Sequence, residues 1–248
     1  MRKLLSHLQE SLLSLVNKFG YRLTVIDRIS FFEPLLYSLL KANGDLSFVQ
    51  IGANDGKQFD ALYRFVTLNH KKVSGIVVEP VKDYFEELTF NYRNFPNIIP
   101  VNVAIHRSEK YMTMYRVDPA KQRHLPDWTK GIASFNLHHH ELSKTPAEVM
   151  IQEEVACISL DELLDQYQIE TLDLLQIDTE GYDAEIIRHI DFKRIKPAVI
   201  RFEHRVPSRI MSEDTFSKTV EMLHEQGYEL AIEPHDATAY QRDILFAC

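Results

Sequence analysis

The nine residues Phe48-Val49-Gln50-Ile51-Gly52-Ala53-Asn54-Asp55-Gly56 constrain this chain more than any other stretch, because an apolar run passes directly into a turn bracketed by two glycines. A near-continuous apolar run suits a strand covered on both faces. Glycine suits a turn whose backbone takes positive φ or approaches a ligand, since it has no Cβ in the way. Strand and turn together predict a parallel sheet flanked by helices, with a ligand seat beyond the carboxyl end of the first strand.

The same pattern recurs downstream. A helix is expected over 57–68, where Phe59, Leu62, Tyr63 and Val66 share a face, and a second strand over 75–78 ends at Glu79-Pro80. A helix over 81–91 and a third strand over 98–105 follow, and 111–117 alternates as an additional strand. Residues 155–158 and 172–178 read as strands separated by a helix over 159–167, whose Ser159 and Glu162 have capping-box spacing. A helix over 184–190, a strand over 197–204, a helix around 221–224, a strand over 228–232 and a closing strand over 243–247 complete the series. Strands alternating with helices imply parallel pairing through right-handed crossovers, hence an α/β, Rossmann-like doubly wound sheet.

A length of 248 residues fits one such domain, expected over 46–248, with an N-terminal helical extension over 1–45. In that extension Leu4, Leu5, Leu8, Leu12, Leu15, Val16 and Phe19 recur at helical spacing between polar residues. This is an amphipathic helix rather than a signal peptide or transmembrane segment; it is expected to pack on the domain or on a second copy, with a membrane-surface helix the weaker alternative, so a homodimer is an open expectation. The net charge of −8 argues against a nucleic-acid surface. Cys157 and Cys248 lack metal-ligand spacing and suggest neither disulfide nor zinc, so a cytoplasmic setting is the default. Between 118 and 150 periodicity disappears, which marks a candidate lid carrying Trp128, Gly131 to Phe135 in an irregular run, and His138-His139-His140, read as a solvated loop.

Polar residues cluster where the strands end. Asn54, Asp55, Glu79, Asn102, Asp178, Glu180, Glu203 and His204 all fall at carboxyl ends, where open α/β sheets bind ligands. Glu79 stands where a carboxylate accepts hydrogen bonds from ribose hydroxyls, which points to an adenosine-containing cofactor. Only Gly52 and Gly56 are present, with Asp55 between them, instead of three glycines around a pyrophosphate. That carboxylate repels a pyrophosphate and suits the ammonium and sulfonium of S-adenosylmethionine, which leaves an NAD-dependent oxidoreductase as the weaker alternative. Asp178 and Glu180, facing Glu203, are candidate ligands for Mg²⁺, or else a hydrogen-bonded network for sugar hydroxyls. The candidate catalytic bases are Asp178, Glu180 and His204.

The blocks Phe48 to Gly56, Val78-Glu79-Pro80, Asn102-Val103-Ala104, Gly131 to Phe135, Ser159-Leu160-Asp161 and Leu175-Gln176-Ile177-Asp178-Thr179-Glu180-Gly181 occur in an order that resembles the FkbM-type S-adenosylmethionine-dependent methyltransferases. The resemblance runs from about residue 46 to 205. It implies a class I sheet of seven strands with the last antiparallel, and O-methylation of a hydroxyl on a small-molecule acceptor, a sugar or natural product. It implies a cofactor seat made of Gln50, Gly52, Ala53, Asn54, Asp55, Gly56, Glu79, Pro80, Asn102, Ser134 and Asp178. Gln50 departs from the acid that many class I enzymes carry there, and Asn54, Asp55 and Ser134 are then expected to hold the methionine end. A cofactor-binding or scaffold protein of the same fold without catalysis is the remaining alternative.

Overall fold

The computed structural model describes residues 31–58, 60–242 and 244. The amphipathic helix expected over 4–19, Phe59, and all but Ile244 of the strand expected over 243–247 lie outside the described residues. Contacts divide the chain after Phe31, and every element named below belongs to the second unit, Phe32–Cys248.

In chain order the first half contains α1 (Phe32–Asn43), β1 (Leu46–Ile51), α2 (Tyr63–Leu68), β2 (Val73–Val78), α3 (Lys82–Tyr92), β3 (Ile98–Val101), β4 (Ala104–Ile105) and β5 (Tyr111–Val117). The second half contains β6 (Ala133–Ser134), α4 (His139–Leu142), β7 (Met150–Ile158), α5 (Leu160–Gln166), β8 (Leu174–Ile177), α6 (Asp183–Arg188), β9 (Val199–Glu203), α7 (Glu213–Glu225), β10 (Tyr228–Ile232) and β11 (Asp236–Gln241).

Seven strands form one sheet in the order β3-β2-β1-β8-β9-β11-β10. Neighbours from β3 to β9 run parallel, whereas β11 is antiparallel to both β9 and β10. This is the class I methyltransferase layout, with the last strand inserted against the others. Every residue of β8 and β9 is buried, as a strand covered by helices on both faces requires. The chain winds outward in opposite directions from β1 and β8, so a crevice opens between their carboxyl ends.

Several elements differ from their expected extents, each for a local reason. The helix expected from residue 57 starts only at Tyr63, because Asp55 Oδ1 accepts the N–H groups of Lys57 and Gln58, and Asp60 Oδ1 accepts that of Leu62. Side-chain acceptors thus take donors that a helix would otherwise use. The strand expected over 98–105 divides at Asn102, whose Nδ2 donates to the carbonyls of Glu79 and Pro80, and Ala104–Ile105 leaves the main sheet to pair with β7. Four strands, β4-β7-β5-β6, make a second sheet beside the crevice. The expected lid is therefore not irregular: 3-10 turns over Gln122–His124 and Asp127–Gly131, the two-residue β6 and the single-turn α4 fill it. Such pieces are too short to show periodicity.

A strand not expected from the sequence, Asp236–Gln241, lies between β9 and β10, and its buried Thr238 and small alanines disguise it. α1 also belongs to this unit, since it buries Phe32, Leu35, Leu36 and Leu39 and its Phe32 ring lies 4.6 Å from the Arg201 guanidinium of β9. Contacts thus group α1 with the elements that follow it, in the unit Phe32–Cys248. The capping box forms as expected, with Ser159 Oγ accepting from Glu162 N and Glu162 Oε2 accepting from Ser159 N.

Candidate active site

At the carboxyl ends of β1, β2 and β8, and under the second sheet and lid, lies a cavity with about 1260 Å³ of empty space counted out to its mouth. Of the residues expected to form a site, Gln50, Gly52, Ala53, Asn54, Glu79, Pro80, Asp178 and Glu180 line it. Asp55, Gly56, Asn102, Ser134, Glu203 and His204 do not line it.

The turn after β1 is shaped by packing as much as by any ligand. Gly52 has φ of +80°, and a Cβ there would stand 1.7 Å from the carbonyl oxygen of Asp178, so only glycine lets the turn close on the end of β8. Gly56 has φ of +66° and a Cβ there would strike Leu88 of α3 at 2.3 Å. Asp55 Oδ1 accepts the loop's own N–H groups from Lys57 and Gln58, and the residue stands outside the cavity lining where it was expected. Asn54 ties the turn to the lid through Nδ2 to the Lys130 carbonyl.

Glu79 is held by two backbone donors. Its Oε2 accepts from Asn54 N at 2.9 Å and its Oε1 from Val81 N at 2.8 Å, and burial pushes its pKa up to about 7. Each oxygen keeps further acceptor capacity toward the cavity. Asn102 serves it indirectly by clamping the Glu79 and Pro80 carbonyls.

A second polar wall was only half visible in sequence. Gln50 of β1 and Gln176 of β8 are register partners, and the Oε1 of each is buried without a hydrogen-bond partner, as is Oδ2 of Asp60. Burial raises the Asp60 pKa to about 6. The Gln50 amide also acts on the Asp60 carboxylate, and the acceptor atoms left without a partner on this wall suit a cationic or N–H-rich group, because buried polar atoms ordinarily find partners. Asp60 and Gln176 escaped sequence analysis: Asp60 sits where a helix was expected, and Gln176 reads as an interruption of an apolar strand. Ser134, expected among the cofactor contacts, instead donates its hydroxyl to the Glu180 carbonyl and so positions that loop.

Across the cavity stand the acids. One ligand oxygen from each of Asp178, Glu180 and Glu203 lies within 4.8 Å of the others. The Asp178 carboxylate opens onto the cavity while protein surrounds it, and its pKa is driven well up, first by burial and then by the charges of Glu180, Asp183 and Asp236. Glu203 is raised by burial, then by Asp178 and Glu180; its Oε1 is ion-paired with Arg205 Nε while its Oε2 has no hydrogen-bond partner. Asp183 braces the group from behind, accepting from Thr179 N, Thr179 Oγ1 and Glu203 N.

His204 does not join them. Its Nε2 donates to the Glu233 carbonyl at 2.9 Å, its Nδ1 accepts from Val206 N at 3.3 Å, and its ring packs on Phe216. Both ring nitrogens are thus engaged by backbone, and His204 stands outside the lining of the cavity where it was expected as a base. His139, expected in a solvated loop, is the buried one of its run and brings Nε2 to 3.2 Å from Glu180 Oε2, aligned too poorly for a hydrogen bond. His138 pairs with Glu141 on the outside, as that expectation had it.

Residues 50–230 match the family model described as the methyltransferase FkbM domain. The chain belongs to the FkbM methyltransferase family. Its S-adenosylmethionine-dependent class accords with the sheet order and with a cavity at the β1–β8 switch point. No curated protein matches the sequence of this FkbM-family chain. Solved structures similar to it include the Methanococcus jannaschii fibrillarin pre-rRNA processing protein, with 13% identity, TM-score 0.42, and coverage of 79% of this chain and 66% of that one, just under two thirds. An O-methyltransferase from Bacillus cereus in complex with SAH is 10% identical, with TM-score 0.42 and coverage of 94% and 90%. The precorrin-6y C5,15-methyltransferase from Geobacter metallireducens is 18% identical, with TM-score 0.40 and coverage of 88% and 93%. These likenesses are too remote to speak to an acceptor. Among the described residues no helix is long and apolar enough to cross a membrane.

Proposed function

We propose that this protein transfers a methyl group from S-adenosylmethionine to a hydroxyl of a small sugar or natural-product acceptor. The observation that carries this reading is one cavity with a fixed carboxylate, Glu79, on one side and the Asp178–Glu180 pair on the other. Glu79 accepts from ribose hydroxyls with the lone pairs its two backbone donors leave free. Gln50, Asp60 and Gln176 offer their unpartnered oxygens to the ammonium of the methionine end, in place of the expected Asn54, Asp55 and Ser134. Bound cofactor supplies an electrophilic methyl group on a sulfonium.

The chain's own part is to hold the acceptor oxygen in line and to take its proton. Asp178 and Glu180 are the bases that reach the cavity. The like charges that raise Asp178 also raise its proton affinity, which favours a general base, and a base of this kind contributes about 10²–10⁴-fold. Orientation supplies roughly 7–11 kcal/mol in favourable cases. An NAD-dependent reading is disfavoured because the turn after β1 has only Gly52 and Gly56, without the third glycine of a pyrophosphate cradle.

A second reading assigns Mg²⁺ to Asp178, Glu180 and Glu203, favoured by their close approach and by the partnerless Oε2 of Glu203. Against it, Arg205 already supplies positive charge to Glu203. Calorimetry with S-adenosylmethionine, followed by transfer of its labelled methyl to a panel of hydroxylated acceptors, tests the main reading. Cofactor binding without turnover on any acceptor returns the protein to a binding or scaffold role. Turnover unchanged by a chelator removes the metal.

A further inference from the structure

A second cavity, about 820 Å³ of empty space counted with the open solvent at its mouth, adjoins the first and shares Trp128, Glu180 and Arg205 with it. Its far wall comes from the lid and from the segment after β9: Leu142 and Lys144 on one side, Ser208 and Ile210 on the other. Three properties set it apart from a packing defect.

The first is charge. Lys144 Nζ makes no ion pair or hydrogen bond among the described residues, and Arg205 hydrogen-bonds to Glu203 through Nε alone, leaving both Nη groups free. Glu180 lines the same cavity and, with Asp178, acts on the Arg205 charge, yet two cationic groups with unused donors against one lining carboxylate run against the net charge of −8 of the whole chain. The second is backbone strain. Lys144, Glu180 and Arg205 have φ of 58°, 52° and 36°, so half of the six non-glycine residues in the left-handed region among the described residues line this one cavity. Such conformations persist where surrounding structure over-determines them, and they gather at ligand sites. The third is shape. Trp128, half exposed, stands at the junction of the two cavities and offers an aromatic face, while Ile132, Leu142 and Ile210 give the remaining wall an apolar surface.

We propose that this second cavity seats the non-reacting part of the methyl acceptor, and that Lys144 and the free Nη groups of Arg205 select acceptors whose ring bears an anionic group, a carboxylate or a phosphate. The inference rests on the methyltransferase reading of the first cavity. Trp128 covers the apolar face of the ring, the anion lies against Lys144 and Arg205, and the hydroxyl to be methylated points past Glu180 into the cofactor cavity. Guanidinium and ammonium donors to an anion make hydrogen bonds about twice as strong as neutral ones, so the charge decides the choice of acceptor.

The test is a ligand-observed NMR titration of the SAH-loaded protein with D-glucose, D-glucuronate and glucose 6-phosphate, repeated on Lys144→Met and Lys144→Arg. The two anionic sugars, or one of them, should bind about 10-fold or more tightly than glucose, the effect of one charge-assisted hydrogen bond. The Met variant should lose most of that preference and the Arg variant keep it, with SAH affinity equal in all three proteins. Which anion is preferred tells carboxylate from phosphate. Equal binding of the three sugars, no binding of any, or a preference that survives in Lys144→Met overturns the proposal while the methyltransferase reading stands. Failure of the wild-type protein to bind SAH removes that reading and this one with it.

Discussion

The two sides of the cofactor cavity are built on opposite principles. On the β2 side the decisive carboxylate, Glu79, is locked by two backbone N–H groups and its loop is clamped by Asn102. On the β8–β9 side, Asp178, Glu180 and Glu203 crowd together, share one arginine and leave Oε2 of Glu203 without a partner. Recognition at Glu79 rests on a satisfied, rigid frame, whereas reactivity rests on groups the fold keeps short of partners. Substitutions should therefore act on binding at the first side and on rate at the second.

The largest expected effect falls on the crowded side. Asp178→Asn removes the base most exposed to the cavity, and methyl transfer should drop about 10²–10⁴-fold in single-turnover assays while calorimetric affinity for S-adenosylmethionine changes far less. Equal losses in both would break the contrast between the two sides. Next is Gly52→Ala, which sets a methyl group 1.7 Å from the Asp178 carbonyl in a left-handed backbone and joins the two sides through one residue. It should cost about 3 kcal/mol of stability in urea unfolding. Glu79→Ala should weaken cofactor binding by about 2 kcal/mol or more, since it strands two buried N–H donors besides losing the ribose contact, with Glu79→Gln milder.

Two buried carboxyls of the cofactor cavity also set a pH dependence. Asp60 and Glu79 have native pKa values of about 6 and about 7, above 3.8 and 4.5 for the free groups. The native state therefore holds their protons at pH values where the unfolded chain has released them. Their contribution to stability is full below pH 4 and is lost as pH rises through 7. Thermal unfolding of the cofactor-free protein should show a lower midpoint at pH 8 than at pH 5, equivalent to about 1–3 kcal/mol. A bound cation on the unpartnered wall should narrow that difference, and a flat profile would show these carboxyls to be solvated. The smallest effect belongs to His204→Gln, which should lower stability by about 1 kcal/mol yet leave the pH–rate profile in place. A displaced profile would return His204 to catalysis.

Some of this was legible from residue order because it depends on local chemistry. The apolar runs of β1, β8 and β9 announced a sheet covered on both faces, and Ser159 with Glu162 announced a helix start, since burial and capping act over a few residues. The strand-end positions of Glu79, Asp178 and Glu180 followed from the same pattern. Less was legible where one side chain chooses between partners. Asp55 and Asn102 look like ligand contacts in sequence, but each satisfies nearby backbone instead, and no spacing rule tells these uses apart.

Residue order alone settles the alternation of elements, the class of sheet and the strand ends at which chemistry gathers, because periodicity and turn residues encode them locally. It takes the folded chain to bury His139 against Glu180 while His204 turns away to Glu233, to make one wall of Gln50, Asp60 and Gln176, and to stand Arg205 between two cavities. Those outcomes depend on which segments, far apart in the chain, meet at the ends of β1 and β8, and a side chain's partners are set by that meeting rather than by its neighbours in sequence.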